Sequence, residues 1–450
     1  MTQESDSRPS PTEPTHPPVR KREIFGWAMF DFANSSYTTV VITVVYGAFF
    51  TKTIVPSGGR YSYWSASIIA ATLIALMLCP FVGAICDRAG RKKVFLAIAA
   101  GVCALSTAAL GFVGPGDVWL GLTIVAISNA AFMIGECFCA SFLTDLATRD
   151  NMARISGIGW ALGYFGGLAS LILVQGIITA NPDEAPDRYI TQNQLAMVAT
   201  GVFFLVTAIP TFLLVRERSR PSPGFERASI GQLFRFGLEE LKSSWQLVRA
   251  YPILFQFLVA FLVYMAGLYT IISFVGIYAE GELGLTLGQR TVMFLVVQVS
   301  AAAGAIGFGF VERRTGPKNT VLLTLAWWCA GVLATYFLDD IASIFGVEPS
   351  TVFIALSLVI GSAMGATQSS SRALVGLLTP ESRSAQMFGF WGSFARLSAL
   401  LAMSYGFLAD AVGLRSALLI VLAFFGIGAL MLARIPIDRG IREAREADGA

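Results

Sequence analysis

Apolar residues fall into blocks, and as a helix about 20 of them suffice to cross a bilayer. Such blocks lie near 24–50, 64–85, 94–113, 118–143, 155–179 and 194–215, and again near 252–278, 291–311, 320–338, 351–376, 385–409 and 415–434. The pattern predicts an all-α polytopic membrane protein with twelve transmembrane helices in two sets of six. Polar segments set the expected boundaries: a disordered tail over 1–22, an N-terminal half over 23–215, a linker over 216–250, a C-terminal half over 251–434 and a tail over 435–450. Within the linker, Ile230, Leu233, Phe234, Leu241, Trp245 and Val248 recur at helical spacing beside a basic line of Arg235, Lys242 and Arg249. That spacing fits an amphipathic helix lying on a membrane surface or packed against the protein's own loops.

Composition agrees. The 450 residues are 55% hydrophobic and 14% charged, with a mean hydropathy of +0.66, far from the quarter or so of charged residues in a soluble domain. Lipid must therefore solvate most of this surface. A net charge of +3 excludes nucleic acid as an evident partner, and the distribution of charge says more than its sum. Of the 32 Lys and Arg, 25 fall in alternate loops beginning with the N-terminal tail, and 5 fall in the opposite loops. The positive-inside rule then places both termini in the cytoplasm. Residues 1–18, which hold the single histidine, His16, lack the apolar core of a secretory signal. Short loops and no visible targeting signal are expected of a bacterial inner (plasma) membrane protein rather than a vacuolar one. Six cysteines (79, 86, 103, 137, 139 and 329) lie in or beside apolar segments with neither a disulfide framework nor a zinc spacing, and read as small apolar fillers.

The halves repeat internally. Gly83-Ala-Ile-Cys-Asp87-Arg88-Ala-Gly90-Arg91-Lys92-Lys93 joins the second and third blocks, and Gly309-Phe-Val-Glu312-Arg313-Arg314-Thr-Gly316-Pro317-Lys318-Asn319 joins the eighth and ninth. Two halves in one orientation are a parallel repeat. The first copy resembles the loop motif shared across the major facilitator superfamily. That resemblance implies a gating role, in which Asp87 faces a helix N-terminus across the two halves and stabilises one end of an alternating-access cycle. In the second copy Arg313 stands at the acid's position, so either Glu312 substitutes or the second gate is weaker.

A narrower likeness covers nearly the whole chain. Gly26-Trp27-Ala28-Met-Phe-Asp31-Phe-Ala33-Asn34-Ser35 opens the first block; Ser141-Phe-Leu-Thr-Asp145 leads to Arg154-Ile-Ser156-Gly157-Ile-Gly159 and on to Gly163, Gly166 and Gly167; Gln368-Ser-Ser-Ser371-Arg372-Ala-Leu leads to Met387-Phe388-Gly389. Together these resemble the vacuole-effluxer branch of that superfamily, whose fungal members are associated with amino-acid efflux. The glycines of the fifth block read as a surface for close helix contact.

Ionisable groups inside spans are costly and each needs a reason. Four stand out: Asp31, Glu136, Arg372 and Arg396. Asp31 and Glu136 each lie about 10 Å from the cytoplasmic end of their block, at ~1.5 Å per residue. Trp27, Asp31 and Asn34 share a helix face, and Asn129 lies two turns from Glu136. Acids in one half and guanidinium groups in the other suit a zwitterion, with Asp31 or Glu136 taking its ammonium and an arginine its carboxylate. Asp31, Asn34, Glu136, Arg372 and Arg396 are thus candidate substrate contacts. The alternatives are structural: Asp31 and Asn34 holding helix packing, Glu136 latched to an arginine, Arg372 snorkelling or binding Glu381.

The expected function is a secondary transporter for a small solute, with amino acids as the suggested class. The alternative is a non-transporting receptor or scaffold on the same fold. Expected partners are the solute and the bilayer, with proton coupling through Asp31 or Glu136, sodium coupling and uncoupled facilitation all left open, and the protein working as a monomer. No cofactor, metal site or nucleophile–base pair is expected, so no enzymatic activity.

Overall fold

An unbroken run of eight β-branched residues, Thr38 to Val45, shapes the first helix. Such side chains crowd an α-helical turn, and here the backbone widens into π-helical turns over Thr38–Val44, with a second π segment, Phe50–Ile54, beyond the run. Val45 departs furthest, at φ −112° and ψ −67°. The sequence pattern predicts a plain helix; the irregular turns are a finding of the structure, a computed structural model. It describes residues 19–56, 58–89, 91–146, 152–218, 251–379 and 384–449. The proposed linker helix lies outside these residues, as does all but the start of the linker.

Every expected span has a helix: α1 Lys21–Ile54, α2 Arg60–Ala89, α3 Lys92–Ala109, α4 Val118–Leu146, α5 Met152–Ile177 and α6 Pro186–Leu214 in the first half. In the second half come α7 Pro252–Gly281, then a continuous Leu287–Tyr336 that Gly316 breaks into α8 (287–315) and α9 (317–336). Gly316 takes φ +81°, open only to glycine without strain, and Pro317 then starts α9. A short helix, Leu338–Phe345, precedes α10 Pro349–Leu377. The last spans are α11, in two pieces Ser384–Ala402 and Ser404–Val412, and α12 Leu414–Arg434. Ten helices are long and apolar enough over their described residues to cross a membrane, and α5 has a shorter apolar stretch, Leu162–Ile177.

Residues 435–450, expected as a simple tail, form a further helix, α13 Ile437–Gly449. Ile437 and Ala444 are buried, and a Cβ at Gly440 would press on Ile253 of α7 and Leu378 after α10. Spacing of i, i+3 and i+7 puts these three on one face.

The helices define two ends, a basic end where the described residues begin and finish and a distal end. At the basic end the two motif copies perform one job. Lys93 Nζ donates to Val215 O after α6 (2.8 Å), and Lys318 Nζ donates to Ala433 O (2.9 Å) and Ile435 O (2.8 Å) at the close of α12. Each ammonium sits where a helix's carbonyl dipoles converge. Sequence register pairs Lys318 with Lys92, yet the structure passes the role to Lys93, one residue along. A buried ion pair, Arg218–Glu23 (2.8 Å), ties the linker's start to α1.

At the distal end the halves meet backbone to backbone. A Cβ at Gly276 of α7 would run into Thr43 O of α1, and one at Gly406 of α11 into Ser65 Oγ and Tyr61 O of α2.

Candidate functional site

The glycines of α5 explain how Asp31 is held. A Cβ at Gly159 would collide with Asp31 Oδ2 and the Trp27 ring; at Gly163 it would meet Ser35 Oγ, at Gly166 Phe32 O, at Gly167 Thr39 Oγ1. Backbone contact between α5 and α1 is therefore continuous over these turns, as the glycine spacing suggests. On the other side α4 closes in. Trp27 Nε1 donates to Cys139 O (2.8 Å), and the Cys139 thiol donates to Asp31 Oδ1 (3.8 Å).

Glu136 lies one helical turn before Cys139 and has an exposed side chain. The charges of Asp31 (α1) and Arg396 (α11) act on it, and both Glu136 and Arg396 act on Tyr269 of α7. An exposed carboxylate with electrostatic neighbours on three other helices faces the space between the helices rather than lipid. Arg396 Nη2 donates to the sulfur of Cys137 on α4. This contact joins a C-terminal-half guanidinium to an N-terminal-half helix, next to Glu136.

Of the five candidate contacts, the structure brings Asp31, Glu136 and Arg396 into one neighbourhood. Asn34 shares a helix face with Asp31 in sequence but is 5% exposed, and its Oδ1 accepts no hydrogen bond from the described residues. Asn129 is likewise buried. Arg372 is exposed near the basic end of α10, with its guanidinium 5.6 Å from the Trp391 ring centroid. With Arg372 itself exposed, such a cation–π contact gains about 0.5–1 kcal/mol. The contact lies within one half, consistent with a snorkelling arginine; Glu381 is outside the described residues.

For the gating motif, the side chains of Gly83, Asp87 and Arg88, and Gly90 altogether, lie outside the described set. Arg91 is exposed, Lys92 is buried and Lys93 caps α6. In the second copy Glu312 accepts from Ser370 Oγ of α10 (2.5 Å), within its own half.

Cys137, Cys139 and Tyr269 escape the sequence reading. Cysteines in apolar blocks look like fillers, but here each of the pair that follows Glu136, two residues apart, meets an ionisable group on a different helix. The signal available was that adjacency. Among the described residues no cluster of three or more His, Cys, Asp or Glu could hold a metal ion.

A family profile described as "Vacuole effluxer Atg22 like" matches residues 60–445. The uncharacterized MFS-type transporter YxiO of Bacillus subtilis is 26% identical over 418 residues, covering 91% of this chain and 94% of that protein. Autophagy-related protein 22 of Kluyveromyces lactis is 22% identical over 402 residues, covering 85% and 80%. Among solved structures, a point variant of the nucleoside transporter NupG aligns with a TM-score of 0.68 at 14% identity, covering 92% of this chain and 98% of that one. A D-xylose–proton symporter aligns with a TM-score of 0.67 at 15% identity, covering 93% and 99%. These last two share the fold.

Proposed function

Because the chain belongs to the vacuole effluxer Atg22-like family of the major facilitator superfamily, we propose that it carries a zwitterionic solute of amino-acid size by alternating access. It is a multi-pass membrane transporter of the major facilitator type and not an enzyme.

The observation that supports the zwitterion is the meeting of Arg396 with α4 beside Glu136. Asp31 and Glu136 belong to one half and Arg396 to the other. A solute whose ammonium engages the acids while its carboxylate takes the guanidinium binds both halves at once. It binds more tightly when the halves are drawn together, and that differential affinity is what couples binding to the switch. Cys137 is a weak partner, so a carboxylate displaces it from Arg396 readily. Proton coupling, where it operates, falls to Asp31 and Glu136, since His16 is the single histidine and lies in the N-terminal tail. The basic end faces the cytoplasm of a bacterial cell, and the protein works in the inner membrane as a monomer. Asp87 gates that end from the last turn of α2.

The test is uptake of labelled neutral amino acids into proteoliposomes, with and without a proton gradient. Wild-type protein is expected to give saturable flux, and R396Q and E136Q to lower kcat/KM by about 100-fold through loss of a charge-assisted contact. Wild-type flux in both variants defeats the zwitterion reading. Saturable binding without flux under either condition favours the receptor alternative.

A further inference from the structure

The first turn of a helix has N–H groups with no intrahelical acceptor, and an N-cap side chain usually takes those of N2 and N3. At the distal end, the related helices α2 and α8 solve this differently. Helix α8 caps itself: Thr286 Oγ1 accepts from Gln289 N (3.3 Å), and Gln289 Oε1 accepts from Thr286 N (2.9 Å). Helix α2 has Gly59 at the N-cap, with its carbonyl accepting from Tyr63 N (2.9 Å) and no side chain to offer. Its cap comes from the other half. Asp410, on α11, accepts from Tyr61 N (3.2 Å) and Ser62 N (2.6 Å), the N2 and N3 positions. The carboxylate also faces the positive end of the α2 dipole.

A second seam closes beside it. At the irregular turn of α1, Val44 O accepts from Arg290 Nη1 of α8 (2.6 Å). Arg290 pairs with Glu280 of α7 (2.9 Å), and Glu280 with Lys52 of α1 (3.7 Å). Arg290 and Glu280 are both buried, and removing one partner of a buried pair strands the other charge. Trp64 Nε1 of α2 also donates to Ser273 O of α7 (3.3 Å). Both seams depend on glycine, Gly406 against α2 and Gly276 against α1.

We propose that Asp410 and the Arg290–Glu280 pair form a latch holding the distal ends of the two halves shut, with Asp410 supplying in trans the N-cap that α2 lacks. Opening the distal end removes the cap from α2 and the carbonyl from Arg290 together, so the two seams release as one. The self-capped α8 loses nothing of its own start when the halves part. A closed distal end is thus favoured before any solute binds, and solute or coupling ion works against a defined set of contacts.

Hydrogen–deuterium exchange on the full chain in nanodiscs, without solute, tests this. It needs no flux, so its failure is distinct from failure of the zwitterion reading. D410A is expected to speed exchange about five-fold in peptides spanning 58–66 and also 270–281, a seam that Asp410 does not touch. G276A, which blocks the α1–α7 approach, is expected to raise exchange in the same two peptides, and serves if D410A fails to fold. T286A is expected to raise exchange at 284–291 alone. A D410A effect confined to 58–66 makes Asp410 a local cap and overturns the latch. So does G276A leaving 58–66 at the wild-type rate.

Discussion

The two six-helix halves share a plan but spend their glycines and charges differently. In the first half, glycines bring α5 into backbone contact with α1, the helix that carries Asp31. In the second, Gly304 presses α8 against Ser362 of α10, and Gly361 presses α10 against Val297 of α8. The four ionisable groups singled out within the predicted blocks divide as well, acids Asp31 and Glu136 in one half and Arg372 and Arg396 in the other. What both halves keep, such as a lysine capping the sixth helix, is scaffold. What differs is where binding and switching are to be sought.

The largest expected effect sets the two glycine crossings against each other. Gly166→Ala and Gly304→Ala each drive a Cβ into a carbonyl of the neighbouring helix, of Phe32 and Ser362 respectively. Each is expected to cost about 3 kcal/mol or more, read as loss of the folded peak in a detergent thermal melt. Gly101→Ala, in open space, is expected to leave the melt unchanged. A tolerated Gly166→Ala would mean that α1 and α5 are further apart than described.

Next comes the motif that diverges. Asp87→Ala is expected to slow turnover about ten-fold with KM unchanged, as loss of a gate contact shifts a population rather than a binding site. Arg313→Ala, at the acid's place in the other half, is expected to leave both constants alone. Equal effects from the two would erase the asymmetry.

Smaller still, K93A and K318A are each expected to lose about 1 kcal/mol by chemical denaturation in detergent, from a charge-assisted contact to a helix end. Matching losses sharpen the repeat; a large difference breaks it.

The smallest concerns the distal loop of the second half, where Arg415 Nη1 meets Asp339 Oδ2 (2.6 Å) and its Nε meets Glu282 (3.4 Å). The Arg415 hydrogen bond holds the Asp339 carboxyl below its usual range. A depressed folded-state pKa contributes stability above the unfolded value and loses it as pH falls through the folded one. D339N is therefore expected to lower stability at pH 7 by less than about 1 kcal/mol for so exposed a pair. The difference between the variant and the parent should shrink as pH falls below about 4, where an ordinary carboxyl protonates, and vanish once pH passes below the depressed folded-state pKa.

Much of the fold is legible in the sequence because lipid imposes one period and one length on every span. Residues 24–50 announce a helix; the π turns within them follow from eight β-branched residues, and their placement under Arg290 follows from tertiary contact alone. Gly159, Gly163, Gly166 and Gly167 announce close packing, though their partner, α1, does not. The site is legible as far as charge is rare: Asp31, Glu136 and Arg396 stand out because charges inside a bilayer are exceptional. Cys137, Cys139 and Tyr269 are ordinary in apolar helices and gain meaning only from what faces them. Asp410, near a helix end where charge is cheap, carries no sequence signal at all; its role depends on Gly59, some 350 residues earlier.

Solute analogues put the zwitterion between the halves to the most direct test. In a binding assay on purified protein, an amino acid that the wild type carries is compared with its methyl ester, which keeps the ammonium and loses the carboxylate charge. The wild type is expected to favour the acid by about 100-fold and R396Q to favour it by less than about three-fold, as the bidentate contact is gone. R396Q retaining the full preference would contradict the account, since the carboxylate would then be read by another residue.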